Sequence, residues 1–404
     1  MDRHEAMESL VDGHLPHEPF SLVMPVLALP LDVLGGVVGS DGAEYRLNLL
    51  LFGLSLFSLW LLLRPRAPGD LVRSVLLLLV YGSLFPGAVV SFAGETTSAT
   101  FVGVGLLAVV VSDRRIVRAA GWAAIVIGVT NTPALIPALA AVVVVLAFTR
   151  RTFWPFLALA AAIGLTLVDI RLHTGGFASP YEGDRGFETV LPTSGQPGFS
   201  YPALFGVLAI LFSLGRGLLF YTPGLFLPVH HALDRAPGLH RTRALWIVVV
   251  VCMVAVYCKW WAWYGGGDYF GPRFFLFASF PASVALAARL RTAYSSLVAC
   301  ALTLLALALT IWVGIVGAID PDTPAICLSN SYALEHLCWY TPEFSSLWRP
   351  VIDRSTVGTR SAVFALLALV AFVRLAAPLV VVISVRVRVE SGKAVRAMRD
   401  GPIW

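Results

Sequence analysis

Charge is what this sequence has least of. Only 13% of its 404 residues are Asp, Glu, Lys or Arg, and 58% are hydrophobic; soluble domains carry about 25% charged residues. Cysteine is scarce too, at five residues. None sits at metal-ligand spacing, which argues against a structural zinc site. Cys252, Cys258 and Cys300 lie in or beside apolar runs and read as small packing residues. No GxGxxG, Walker, HExxH, GxSxG or paired-His metal motif occurs. Without a nucleotide-binding domain the chain is not by itself an ATP-driven pump. His230 and His231 end an apolar run and read as interfacial.

What is abundant is uninterrupted apolar sequence. A helix needs about 20 apolar residues to cross a bilayer. Candidate spans fall at 47–63, 74–92, 99–112, 118–132, 133–149, 154–171, 217–233, 244–258, 274–288, 294–318 and 361–385. The expected fold class is therefore all-α, a polytopic transmembrane bundle of about eleven spans forming one domain over 1–400. The net charge of +5 is then a loop property and no sign of nucleic-acid binding.

The connections are of two kinds. Short basic ones ("RPRAPGDLVR", "SDRRIVR", "TRR", "DRAPGLHRTR", "RLR" and the tail "RVRVESGKAVRAMRD") hold 18 of the 29 Lys and Arg. They belong on the cytoplasmic side by the positive-inside bias, the tail reaching from 386 to 404. Longer ones rich in Gly, Pro, acid and aromatics, at 1–46, 93–98, 172–216, 259–273 and 319–360, belong outside. Segments 20–38 and 201–214 are apolar but short or broken by proline, and read as outer-face helices lying on or dipping into the membrane. The alternation puts the amino end outside. Residues 1–19 have no signal-peptide character to carry them across, so either the following span carries the first loop across or an upstream span is missing from this sequence, the second being the favoured expectation. Cys327 and Cys338 share the outer loop 319–360, an oxidising setting that leaves both a disulfide and two free thiols open. Arg374 lies inside the last span, either snorkelling or meeting something anionic.

Chemistry collects in the outer loops. In "WWAWYGGGDYFGPRF" (260–274) the Trp residues read as interfacial anchors. The glycines suit a tight turn close to a ligand. Pro272 opens a helix, leaving Arg273 at an anion-friendly helix start. Arg273 then suits a phosphate, with Asp268 holding it or touching a sugar; the alternative is a turn in contact with lipid headgroups. In 173–202, aromatics mix with Glu182, Asp184, Arg185 and Glu188, a composition that suits sugars or merely a solvated loop. Arg216, between two glycines in "SLGRGLLFYTP" (213–223), reads as a second exposed cation at a membrane edge. Asp2, Glu5 and Glu8 share one face if helical; such a carboxylate can act as general base toward a hydroxyl, or simply face water.

Taken in order, these elements resemble the GT-C superfamily of integral membrane glycosyltransferases, closest to the bacterial protein-mannosyltransferase-like and aminoarabinose-transferase-like branch. The likeness rests on "MDRHEAMESLVDGHL", "FSLVMPVLALPLDVLG" and "SDGAEYRLNLLLFGLSLFSLWLLLR", followed by the "SLGRGLLFYTP" and "WWAWYGGGDYFGPRF" elements. It covers nearly the whole chain. The resemblance implies a cell-envelope transferase that moves a sugar from a polyprenyl-phosphate donor to an acceptor glycan, lipid or protein at the outer face. It implies no nucleotide cofactor and leaves divalent-metal use open. It makes Asp2 or Glu5 the base, Arg273 the phosphate ligand with Arg216 as helper, and Asp268, Tyr269, Tyr264 and Glu182 substrate contacts. Family members have a span before the acidic loop, where this sequence starts inside it; a catalytic acid upstream of Met1 would make Asp2 and Glu5 bystanders. Competing expectations are a transporter or flippase of a lipid-linked or small polar substrate, or a truncated non-catalytic relative. A transporter would show internal repeats and mid-membrane charge, and neither stands out.

Overall fold

A computed structural model describes residues 3–16, 20–38, 46–177, 188–229, 232–265, 269–291, 296–319, 327, 333–352 and 358–400. The regular elements are helices α1 (Arg3–Val11), α2 (Val23–Val38), α3 (Leu47–Leu63), α4 (Gly69–Tyr81), α5 (Phe85–Ala88), α6 (Gly94–Val111) and α7 (Arg115–Asn131), then α8 (Ile136–Arg150), α9 (Trp154–Thr174), α10 (Ala203–Phe212), α11 (Leu218–Tyr221) and α12 (Pro237–Tyr257). A 3-10 segment, Arg273–Ala278, leads into α13 (Ser279–Arg289), followed by α14 (Leu297–Ile319), α15 (Glu335–Tyr340), α16 (Arg349–Ile352) and α17 (Thr359–Asp400). Seven helical segments among the described residues are long and apolar enough to cross a membrane: Gly94–Val111, Pro133–Arg150, Trp154–Thr174, Pro237–Tyr257, Arg273–Leu290, Leu297–Ile319 and Thr359–Arg388.

The bundle has a centre and a rim. The Gly94–Val111 and Arg273–Leu290 segments are 78% and 83% buried, whereas Trp154–Thr174 and the final span are each only 28% buried. Rim helices turn Leu157, Val168, Leu366, Val370 and Val373 outward. A water-soluble surface would not carry so continuous an apolar face. Small residues let the central backbones touch. A Cβ on Gly105 would stand 2.6 Å from the Gly121 carbonyl of α7, and one on Gly103 would meet the Phe280 ring at 2.6 Å. Trp246 on α12 donates its indole N–H to the Gly103 carbonyl at 3.1 Å. Such contact between helices replaces the hydrophobic drive that lipid removes.

Two expected spans are not continuous helices. Over 74–92 the helix stops at Tyr81, and after Gly82 the chain resumes as the single turn α5. Over 217–233, α11 is followed by a 3-10 turn, Pro223–Phe226. Pro223 supplies no N–H to continue α11. A Cβ on Gly224 would stand 2.3 Å from the Ala282 carbonyl, so this broken segment lies directly on α13.

The loops sort to two ends. At one, Arg291 pairs with Asp70, and the Arg150 guanidinium donates to the Val109 carbonyl at 3.2 Å. At the other, Asn131 donates to the Gly94 carbonyl at 2.8 Å, Tyr201 N–H to Lys259 at 3.0 Å, and Ser361 to Ala318 at 3.0 Å. There too Asp169 on α9 accepts the Leu22 N–H at 3.0 Å, tying down the start of α2. Arg374 faces outward on α17. Cys327 and Cys338 are disulfide-bonded, and Cys252, Cys258 and Cys300 are free.

Two outcomes check this arrangement. Gly105→Ala should destabilise the detergent-solubilised protein by about 1–3 kcal/mol through overpacking, read as a lowered melting midpoint. Gly53→Ala, which meets nothing within 4 Å, should leave the midpoint unchanged. Alkylation of the denatured, unreduced protein followed by mass spectrometry should label Cys252, Cys258 and Cys300 and spare the other two; labelling of all five would refute the pairing.

Candidate functional site

The site is assembled where α12, α6 and the 333–346 segment meet. After Tyr257 the chain leaves α12 and folds back on itself. Gly265 adopts a left-handed φ of 91°, and a Cβ there would strike the Arg273 side chain at 2.8 Å. Gly271, with φ of 62°, lies so close to the Tyr221 ring that a Cβ would be 2.7 Å from it. Both positions demand glycine. They bring the loop back against its own Arg273 and against Tyr221.

A wall of rings stands beside it. Trp263 is buried and packs against Tyr201, Tyr264, Trp339 and Tyr340. It is core and no interfacial anchor, contrary to the expectation from sequence. Tyr264 stacks on Trp339 with centroids 4.0 Å apart and donates its hydroxyl to Glu335 Oε2 at 2.7 Å. The Tyr201 and Tyr340 hydroxyls are 3.0 Å apart. Burial, with the Tyr201 contact adding to it, raises the Tyr340 pKa above its ordinary value.

Arg216 overturns a second expectation. It is 2% exposed, and its Nη1 donates to the carbonyls of both Tyr269 and Gly271. The residue read as an exposed cation is the clasp of the 269–271 turn. Burial lowers its pKa from the usual arginine value, while Tyr221 and Glu335 act in the opposite direction. The clasp is itself held. Gly215 N–H donates to the Trp339 carbonyl at 2.9 Å, and the Tyr221 hydroxyl donates to the Gly215 carbonyl at 2.9 Å.

Arg273 is the cation left facing a cleft. Its guanidinium carbon sits 3.6 Å over the Tyr269 ring centroid, and Nε is 3.5 Å from Glu95 Oε1. The Arg273 and Glu95 side chains are 20% and 12% exposed. Together with Ser91, Ala93, Thr96 and Tyr269 they line a cleft with about 20 Å³ of room for water centres, space for about one ordered water. Glu95 opens α6, where the helix dipole favours a carboxylate. Two buried amides place it. Asn48 donates to the carbonyls of Ser91 and Ala93 at 2.6 and 2.9 Å, and Asn131 donates to Gly94 O and Ser98 Oγ, each at 2.8 Å.

Of the residues singled out from sequence, Arg273, Tyr269, Tyr264 and Arg216 come together. Glu5 is exposed on α1. That helix rests through Met7 on Met24, Ala28 and Leu47, beside Phe92, so Glu5 belongs to the same end of the bundle, though it does not line the cleft. Asp2, Glu182 and Asp268 lie outside the described residues. Sequence reasoning missed Glu95 and Glu335. A signal for Glu95 was there: it is the sole ionisable side chain between Tyr81 and Asp113. No cluster of three His, Cys, Asp or Glu able to hold a metal occurs among the described residues.

No family model, curated protein or solved structure matches the chain.

Replacing Arg216 by Met should strand the carbonyls of Tyr269 and Gly271 and remove a cation that acts on Glu335. A cost of about 3–5 kcal/mol follows for a broken buried charge network. It should appear as a sharp loss of folded protein on size-exclusion chromatography, which a merely solvated arginine would not produce.

Proposed function

We propose that this chain is a membrane glycosyltransferase of GT-C type, with eleven spans in its expected topology, that transfers a sugar from a polyprenyl-phosphate donor to an acceptor at the outer face. The observation that carries the reading is Arg273: a guanidinium held flat on Tyr269, beside Glu95, at a cleft on the end of the bundle opposite the basic loops. A lipid phosphate at the membrane edge is the anion such a group suits.

In the reaction the acceptor hydroxyl oxygen attacks the anomeric carbon and the bond from that carbon to the phosphate oxygen breaks. The lipid phosphate leaves with the electron pair, and the hydroxyl proton passes to a carboxylate. Arg273 stabilises the charge growing on the phosphate, an effect whose loss costs about 10²–10³ in rate in comparable sites. Tyr269 and Glu95 hold Arg273 in its orientation, and Arg216 acts through Tyr269 as a positioning residue. The proton acceptor is a carboxylate of the first outer loop, Asp2 or Glu5; α1, which carries Glu5, packs at the same end as the cleft. Tyr340, 37% exposed beside the buried Tyr264 and Trp339, is the ring of that wall that can meet a pyranose or furanose face.

Purified protein in lipid nanodiscs, given labelled polyprenyl-phosphate mannose or arabinose and a cell-envelope acceptor fraction, should release polyprenyl phosphate. Arg273→Ala should slow that release at least about 100-fold with normal insertion and melting, and Arg273→Lys should retain part of it. Asp2→Asn and Glu5→Gln, made separately, identify the base. Undiminished turnover in Arg273→Ala would remove the residue, and with it this reading of the cleft.

A further inference from the structure

The opposite end of the bundle holds a second convergence of cations. Arg118 on α7, Arg150 on α8 and Arg241 on α12 come from three different helices that close around the end of α6: a Cβ on Gly121, one turn after Arg118, would stand 3.1 Å from Ala108 and Val109, and Arg241 lies one turn after Gly238. The position of Arg150 is set by α6: the guanidinium donates to the carbonyls of Val109 and Val110 at 3.2 and 3.4 Å, capping that helix. The start of α12 closes in from the side, where a Cβ on Gly238 would stand 3.2 Å from Val111. Among the described residues no carboxylate is paired with any of the three arginines.

Three like charges gathered without a counter-charge repel one another, and one cap for α6 explains only Arg150. Arg150 and Arg241 are exposed and Arg118 is half-buried, so an anion has access. Close along the chain stand apolar side chains that soluble proteins hide: Phe148 is 80% exposed, Phe153 84% and Trp154 76%. Aromatic rings mark the headgroup level of a bilayer, and basic pockets between helix ends at that level take anionic headgroups. The joint requirement is a phosphate group attached to something greasy.

We infer that Arg118, Arg150 and Arg241 form a binding site for the phosphodiester of an anionic phospholipid, seated at the basic end with its glycerol and acyl region against Phe148, Phe153 and Trp154. The site is independent of the cleft around Arg273 and of any transfer reaction there. Its occupant bridges the ends of α6, α7, α8 and α12, so occupancy stabilises the bundle.

The test is thermal unfolding of the full chain in an uncharged detergent, titrated with phosphatidylglycerol, phosphatidylcholine or inorganic phosphate. Phosphatidylglycerol should raise the melting midpoint, while the other two should not. Arg241→Gln and Arg118→Gln, which break no hydrogen bond to the backbone, should each weaken the phosphatidylglycerol effect about fivefold in half-maximal concentration, and the double variant further. Equal stabilisation by phosphatidylcholine would overturn the inference. So would undiminished phosphatidylglycerol preference in the double variant. Stabilisation by inorganic phosphate as strong as by phosphatidylglycerol would assign the arginines to a soluble anion and overturn the lipid site.

Discussion

One end of this bundle depends on one buried guanidinium. Arg216 is buried, 2% exposed, and its Nη1 meets two carbonyls of one turn. Taking a charge out of water is costly unless it is paired and hydrogen-bonded. Here the compensation comes from Tyr269 and Gly271 through their backbones and from Glu335 through its charge. Lysine would substitute poorly, because its compact ammonium is more strongly hydrated than a guanidinium and so loses more on burial. Through this contact and its neighbours, separate stretches of sequence become one unit: 213–222, 258–265, 269–278 and 335–346. Tyr269 is oriented by it, and Arg273 lies on Tyr269.

The rest of the bundle follows from the solvent it is built for. With apolar rings and aliphatic chains turned outward, polar groups inside must satisfy one another. Asn48 and Asn131 do so by donating to carbonyls that the break before α6 leaves without helical partners. Ser98 joins Thr132 at 2.7 Å, and Thr100 returns its hydroxyl to the Thr96 carbonyl at 2.8 Å. The polar residues of α6 thus do two things together. They let a helix with a polar first half sit at the centre of an apolar bundle, and they set Glu95 at the mouth of the cleft beside Arg273.

Much of this was legible in the sequence, and the remainder was hidden for physical reasons. The apolar runs, their proline breaks and the sorting of Arg-rich loops to one end are properties of local composition, and the helices from Gly94 to Arg150 follow them closely. The pairing of Arg273 with Glu95 was not legible, because it joins residues far apart in the chain through two turns that only packing defines. The break at Thr222-Pro223-Gly224 was outweighed, in reading the sequence, by the apolar residues on either side. Trp263 misled in the opposite way. Beside Trp260 and Trp261 it has the pattern of an interfacial anchor, yet its partners Tyr201, Trp339 and Tyr340 lie on other segments and enclose it.

Arg216 and Arg273 occupy similar local patterns, Gly-Arg-Gly and Gly-Pro-Arg, and end in opposite environments. The difference lies in what the glycines approach. A Cβ on Gly215 would stand 1.9 Å from the Cys338 carbonyl, and one on Gly217 would stand 2.4 Å from the Ser213 carbonyl. Backbone presses on both sides of Arg216, so its side chain can only run inward and must find acceptors there. Gly271 instead meets the Tyr221 ring, and Pro272 turns the chain so that Arg273 begins a new helix at the edge of the cleft. Glycines that admit backbone bury the arginine between them; a glycine that admits a ring, followed by proline, presents the next arginine outward. The disulfide between Cys327 and Cys338 fits the same logic. It fixes the segment whose carbonyls press on Gly215, and so it bears on Arg216 and, through Tyr269, on the cation at the cleft.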